Sequence, residues 1–123
     1  MINWNQSLPA SDLVPAAGFL SLTFAPEPIS KIMNQFQNSE IVWHKATDIL
    51  RASELTILSE DDFHVAAAIG KMTRGEAIAP VLLVRASETN ARPLTIVYGY
   101  HRVCAAYFVD KNVAIPCILA SLD

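Results

Sequence analysis

The sequence predicts an α+β fold in which a small mixed sheet carries packed helices. Two observations support this prediction. Short apolar runs typical of buried strands alternate with segments of helical periodicity, and one of these strands passes through a single glycine directly into a helix. At 123 residues, 52% hydrophobic and 17% charged, the chain is long enough for one domain with a substantial core. We therefore expect residues 1–123 to form a single domain.

Four apolar runs are predicted as strands, because each has the length and composition of a buried strand. They comprise residues 18–24, 81–84, 94–98 and 113–119. Pro116 lies within the last run and cannot donate a ladder hydrogen bond, which predicts an edge position for that strand. The polar residues 87–93 are predicted to form a surface loop.

Two longer segments have the periodicity of amphipathic helices. The first begins at Pro28 and ends near Asn38, and its apolar positions are Ile29, Ile32, Met33 and Phe36. The second is capped by Ser59 and stopped by Gly75, with a buried face of Val65, Ala68, Ile69 and Met72. A shorter helix, capped by Thr47, is predicted to end at Ser53.

Residues 1–17 are predicted to form an N-terminal arm, anchored by Trp4 and Leu8. Pro9 and Pro15 argue against a long helix in this part of the chain. No signal peptide or membrane-spanning run is present, so a cytoplasmic protein without a membrane partner is expected.

Charge and cysteine content exclude some classes of function. The net charge is −3 and the nine lysines and arginines are scattered, which disfavours nucleic-acid binding by this chain on its own. Cys104 and Cys117 lie in predicted core elements without a CxxC spacing, as expected for reduced intracellular thiols.

The chemically informative stretch begins at the predicted strand 94–98. Gly99 suits a tight turn from this strand into a helix, and Tyr100, His101 and Arg102 then occupy the first helical turn. A helix N-terminus presents free backbone N–H groups and disfavours cations. A bound anion would explain why His101 and Arg102 occur there.

The order of elements over residues 59–120, together with the Gly99…Arg102…Ala105 pattern, resembles the ParB/sulfiredoxin superfamily. The resemblance implies the fold of that superfamily. Sulfiredoxins are ATP-dependent reductases with Gly-Cys-His-Arg at this turn, and here Tyr100 replaces the catalytic cysteine. Because tyrosine supplies no thiolate, sulfiredoxin activity is not expected. His64 occupies the position of the lysine that binds nucleotide phosphates in sulfiredoxins.

ParB-type domains have a Gly-x-Arg-Arg-like turn that binds CTP phosphates. Gly99, Arg102 and Ala105 match it, whereas Cys104 stands where a further arginine is common. Since the chain ends at Asp123 without the usual DNA-binding helical domain, a role in DNA partitioning is not expected. The closest resemblance is to small stand-alone bacterial proteins with Gly-Tyr-His-Arg-Val-Cys-Ala at the turn.

The leading functional hypothesis is therefore a site for a phosphate-bearing small molecule, such as the nucleotides ATP or CTP. Its predicted ligands are Gly99, Tyr100, His101, Arg102 and His64. If the site is catalytic, phosphoryl or phosphodiester transfer is expected, with His101 as acid or base.

Each of these residues also has a structural interpretation. Arg102 could pair with a carboxylate such as Glu60, Asp61 or Asp62, His101 could fix the turn through a hydrogen bond, and Tyr100 could be simple packing. The alternative function is a ligand-free interaction module. Such a module could form a homodimer through the N-terminal arm or through the strand 113–119. A buried Arg102–carboxylate pair would favour this alternative.

Two further hypotheses concern the cysteines and histidines. A redox enzyme using Cys104 would need a low thiol pKa. A metal site made of His44, His64 and His101 has no support from spacing, and no metal ligand is assigned.

Overall fold

The computed structural model describes all 123 residues, from Met1 to Asp123. Its longest helix has 13 residues, and no helix is long and apolar enough to cross a lipid bilayer. In chain order, the elements are the 3₁₀ helix Ala10–Asp12, α1 (Leu13–Leu20), α2 (Pro26–Asn38), β1 (Val42–Lys45), α3 (Ala46–Ser53), α4 (Phe63–Thr73), β2 (Val81–Val84), β3 (Thr95–Tyr98), α5 (Tyr100–Val109) and β4 (Ala114–Ala120).

The four strands form one mixed sheet in the order β1–β4–β2–β3. The central pair, β2 and β4, is parallel, with Leu83 opposite Leu119. The two outer pairs, β1 with β4 and β2 with β3, are antiparallel. The predicted α+β class, a small mixed sheet with packed helices, is confirmed.

Helices cover both faces of the sheet, and β2 contributes to both cores. Val81 and Leu83 pack with residues of α3, α4 and α5, on the side that we call the α5 face. Leu82 and Val84 pack with residues of α1 and α2, on the side that we call the α1 face. Because alternate residues of a strand point to opposite faces, a strand covered on both sides is apolar throughout. This explains the uninterrupted run of four apolar residues in β2.

Most elements of the second half of the chain lie where the sequence predicts them. β2 has the predicted bounds, and β3 begins one residue later than predicted. The helix after Gly99 is α5. In the first half, α2 ends at Asn38 as predicted and buries Ile32 and Phe36, although it begins at Pro26 rather than Pro28.

The strand predicted over residues 18–24 is wrong, because Leu13–Leu20 form helix α1 and turns follow. Ala16 and Leu20 are completely buried on the α1 face. They are four residues apart, so the helical spacing of buried positions outweighs the weak alternation in the sequence. Pro15 lies in the first turn, where its missing N–H removes no helical hydrogen bond.

The N-terminal arm is attached to the domain. The Asn5 N–H donates to the Ile78 carbonyl at 2.8 Å, and the Ile78 N–H donates to the Asn3 carbonyl at 2.8 Å. The predicted anchors, Trp4 and Leu8, are partly buried against the two cores. The part of the predicted arm from Leu13 onward belongs to α1.

The predicted edge position of the last strand is also wrong, since β4 lies between β1 and β2. Pro116 is opposite Trp43 of β1, but the pairing with β2 begins only at Cys117. Pro116 therefore precedes the segment that pairs on both sides, which is how an interior strand can contain it. Self-association through β4 as an open edge is excluded, because both its neighbours are present.

Two further helix starts differ from the predicted ones. Asp62, not Ser59, is the N-cap of α4, and its Oδ1 accepts the N–H groups of His64 at 2.9 Å and Val65 at 3.1 Å. Ser59 Oγ instead accepts the Asp61 N–H at 3.1 Å in the preceding turn. α3 begins at Ala46, so Thr47 is inside the helix and does not cap it.

Candidate functional site

Gly99 forms the predicted tight junction between β3 and α5. Its φ of 110° and ψ of 18° lie in the left-handed region that favours glycine. A Cβ atom at this position would lie 2.6 Å from Val81 Cγ1, so β2 leaves no space for a side chain. Glycine is therefore required here by both backbone conformation and close packing.

The first turn of α5 carries free backbone donors. Gly99 provides no side-chain cap, and the first helical hydrogen bond runs from the Val103 N–H to the Gly99 carbonyl at 3.0 Å. The N–H groups of Tyr100, His101 and Arg102 donate to no protein acceptor. They can therefore bind an external anion, which the helix dipole also favours.

A surface groove of about 390 Å³ lies beside this turn, and we call it the basic groove. It brings together side chains from α4 and α5, opposite the segment 77–79 and the N-terminal residues Asn5 and Pro9. Its basic lining consists of His64, Lys71, His101 and Arg102, and no carboxylate belongs to the lining. The predicted site residues His64, His101 and Arg102 are thus brought together.

Three of these four basic side chains take no part in an ion pair: His64, Lys71 and His101. The rings of His64 and His101 are adjacent, with centroids 5.0 Å apart. No ion pair within the protein therefore holds these three side chains. They are available to a ligand in the groove.

Arg102 has contacts of its own within the protein. Its Nη1 donates to the Pro80 carbonyl at 3.2 Å, and its guanidinium carbon lies 4.9 Å from the centre of the Tyr98 ring. Its Nη2 is 3.6 Å from Asp12 Oδ2, and the two side chains are 23% and 11% exposed. The predicted alternative of a carboxylate pair is therefore present, with Asp12 in place of the three candidates near α4.

The pair with Asp12 is an ion pair without a hydrogen bond. A distance of 3.6 Å is too long for a charge-assisted hydrogen bond, and Asp12 Oδ2 is buried without any hydrogen-bond partner. Arg102 also lines the basic groove. An anion in the groove could accept hydrogen bonds that Asp12 leaves unused.

Tyr100 lies outside the lining of the groove. Its hydroxyl donates to the Thr56 carbonyl, which attaches the start of α5 to the loop between α3 and α4. Burial raises the pKa of Tyr100 above its usual value. The sequence leaves Tyr100 either as a ligand-binding residue or as simple packing, and these contacts favour packing. Only its free backbone N–H is available to a ligand.

Asp62 is the negative group beside the two histidines. The pKa of the Asp62 carboxyl is lowered, and the largest cause is the hydrogen bond that it accepts from the Val65 N–H. Desolvation acts in the opposite direction and raises this pKa. A further hydrogen bond from the His64 N–H and the charges of His101 and His64 lower this pKa as well. Asp62 caps α4 and does not line the groove.

Neither cysteine has the environment of a reactive thiol. Cys104 is completely buried, and burial raises its pKa. Burial also raises the pKa of Cys117 to about 12. The hypothesis of a redox enzyme using Cys104 needs a lowered pKa, so it is wrong on this point.

His44 lies apart from the other two histidines. It borders a separate cleft of about 250 Å³, whose lining is mainly apolar and includes Leu83, Leu94 and Leu119. No group of three or more histidine, cysteine, aspartate or glutamate side chains is arranged to hold a metal ion.

Lys71 is the groove residue that the sequence does not assign to the site. As a cation in the last turn of α4, Lys71 suits the negative end of the helix dipole, as does Arg74, whose Nε donates to Glu76 Oε2 at 2.6 Å. The spacing of seven residues from His64 to Lys71 is two helical turns and places both on one side of α4. This spacing could have identified Lys71.

Comparison of this chain with protein-family models, with curated proteins and with solved structures gives no match.

Proposed function

We propose that this protein binds a phosphate-bearing small molecule, such as ATP or CTP, in the basic groove. One observation carries the proposal: four basic side chains line the groove, no carboxylate does, and the free N–H groups of α5 lie beside them. Oxyanions are bound in proteins by this combination of cationic side chains and helix N-terminal N–H groups. The resemblance to the ParB/sulfiredoxin superfamily implies a ligand of the same class.

Each group has a definite role in this proposal. The N–H groups of residues 100–102 and the Arg102 guanidinium bind one phosphate at the turn. Lys71 and His64 bind the remaining negative charge along α4, about 10 Å away from each other along the helix axis. If the bound molecule reacts, we expect His101 to transfer the proton as acid or base. The unpaired, buried cysteines fit a cytoplasmic location.

Isothermal titration calorimetry with ATP, CTP and inorganic phosphate tests the proposal. Lys71→Gln should weaken binding about tenfold, because a charge-assisted hydrogen bond is lost. Lys111→Gln is the matched control, since Lys111 is an exposed lysine in the turn after α5 and outside the groove. Absence of binding, or equal effects of the two substitutions, would contradict the proposal.

A second candidate function is the ligand-free interaction module. It is favoured by the Arg102–Asp12 pair and by the surface of α1 and the turn that follows it, where Val14 and Leu22 are 78% and 88% exposed. No charged residue occurs between Asp12 and Glu27. Exposed apolar surface of this kind is typical of interaction sites. Sedimentation velocity of the wild type and of Leu22→Ser tests this function. Association through α1 and the turn that follows it, as a homodimer or with another partner, should decrease in the variant.

A further inference from the structure

The most unusual exposed side chain near the basic groove is Phe63, the first residue of α4. It is 80% exposed. Its ring contacts His64, with centroids 5.3 Å apart and an interplanar angle of 86°. A hydrophobic staple at a helix start uses the residue before the N-cap and the fourth helical residue. These are Asp61 and Ala66, so Phe63 has no such role.

Phe63 lies in line with the groove. Phe63, Ala67 and Lys71 are spaced by four residues and form one ridge on α4. Ala67 and Lys71 line the basic groove, and the rise from Phe63 to Lys71 is about 12 Å. Because Ala67 has a short side chain, no bulky group on this ridge separates the phenyl ring from the lysine.

Aromatic rings also connect Phe63 with the start of α5. The ring of Phe63 contacts His64, and the ring of His64 lies 5.0 Å from that of His101. His101 and Arg102 are adjacent and line the groove. An exposed aromatic surface therefore leads directly to the basic side chains.

We infer that Phe63 is the stacking platform for a planar ring of the ligand, so that a nucleotide base lies on Phe63 while its phosphates lie in the basic groove. This inference rests on the proposed function and adds a residue that binds the base. Aromatic side chains stack on any base. Phe63 therefore favours nucleotides over inorganic phosphates without selecting one base.

Calorimetric titration with ATP and with inorganic tripolyphosphate separates stacking from phosphate binding. Phe63→Ala should weaken ATP binding about tenfold and leave tripolyphosphate binding unchanged within twofold. Phe63→Trp retains a stacking surface and should bind ATP at least as tightly as the wild type. Phe19→Ala is the control, since Phe19 is an exposed phenylalanine on α1, and it should change neither affinity.

The outcomes distinguish the two proposals. If both ligands bind and Phe63→Ala leaves ATP affinity unchanged, the stacking inference is overturned and the proposed function stands. Equal weakening of ATP and tripolyphosphate by Phe63→Ala also overturns stacking, because tripolyphosphate has no base. If neither ligand binds the wild type, both proposals fail. The thermal stability of Phe63→Ala, an exposed position, should equal that of the wild type and so confirm that the variant folds.

Discussion

The two faces of the sheet have equally well-buried cores but very different outer surfaces. On the α5 face, the helices carry the basic groove, with three basic side chains that have no ion-pair partner. On the α1 face, Val14 of α1 and Leu22 of the turn that follows are exposed to solvent, in a stretch without charge. Core packing is thus a poor guide to function in this protein, because both faces satisfy it. The two faces differ in the exposed side chains that the fold does not need: basic ones on the α5 face and apolar ones on the α1 face.

The comparison also separates the two candidate functions. Ligand binding depends on the α5 face, where one side of α4, the start of α5 and the N-terminal segment line the basic groove. Interaction with a protein partner depends on the α1 face. Arg102 connects the two faces, because it lines the basic groove and pairs with Asp12, the residue that precedes α1. Substitutions on the two faces should therefore have separable effects.

The largest expected effect is that of Gly99→Ala on the α5 face. The added Cβ would lie 2.6 Å from Val81 Cγ1, at a φ of 110°. Strain and overpacking together should lower the free energy of unfolding by about 2–4 kcal/mol. Gly18→Ala in α1 is the matched control. A Cβ there meets nothing within 4 Å, so stability should be unchanged or slightly higher. Urea unfolding measures both, and similar effects of the two substitutions would contradict the account of the turn.

Removing Arg102 should have the next largest effect. Arg102→Ala leaves the buried Asp12 carboxylate without its cation, at a cost of about 1–3 kcal/mol. Asp12→Asn removes the charge instead and should destabilise less. If the groove binds anions, Asp12→Asn should also raise phosphate affinity, because Arg102 is released from its partner. Unchanged affinity in Asp12→Asn would show that Asp12 does not compete with the ligand.

A pH-dependent effect is expected from the cap of α4. Because the hydrogen bond from the Val65 N–H lowers the pKa of Asp62 in the folded protein, the native state binds fewer protons there than the unfolded state. The stabilisation is complete above the unfolded pKa of about 3.9 and is lost as the pH falls through the folded pKa. The stability advantage of the wild type over Asp62→Asn, measured as the difference in Tm, should therefore decrease as the pH is lowered from 5 to 3. A difference independent of pH would contradict the assigned cap.

The smallest effect is expected at Leu22, in the turn that follows α1. Leu22→Ser should change the free energy of unfolding by less than about 0.5 kcal/mol, because Leu22 is 88% exposed. Phosphate affinity should not change either. A large loss of stability would mean that α1 is covered in solution, for example by a second copy of the chain.

The sequence predicts the α5 face much better than the α1 face, for a physical reason. Around Gly99, the strand, the turn and the helix each have a strong local signal, and all three are confirmed. In α1, the buried positions are Ala16 and Leu20, whereas the apolar residues Val14 and Phe19 are exposed. Apolar residues on all sides hide the helical period, so the weak alternation over residues 18–24 is misleading.

The candidate site shows the same limit. His101 and Arg102 are predicted from local chemistry and His64 from the resemblance to sulfiredoxins, and the three side chains line one groove. The pairing of Arg102 with Asp12 could not be predicted, because it depends on how the N-terminal segment folds back along the domain. Lys71 could have been found from its two-turn spacing to His64 on α4.

The most direct test of the central claim is to map bound phosphate by NMR. Backbone ¹H–¹⁵N spectra are recorded while inorganic phosphate, and then ATP, is added to the labelled protein. The account predicts the largest shifts at the amides of Tyr100, His101 and Arg102, with smaller shifts along α4 as far as Lys71. Shifts concentrated on α1, or none at millimolar ligand, would contradict it.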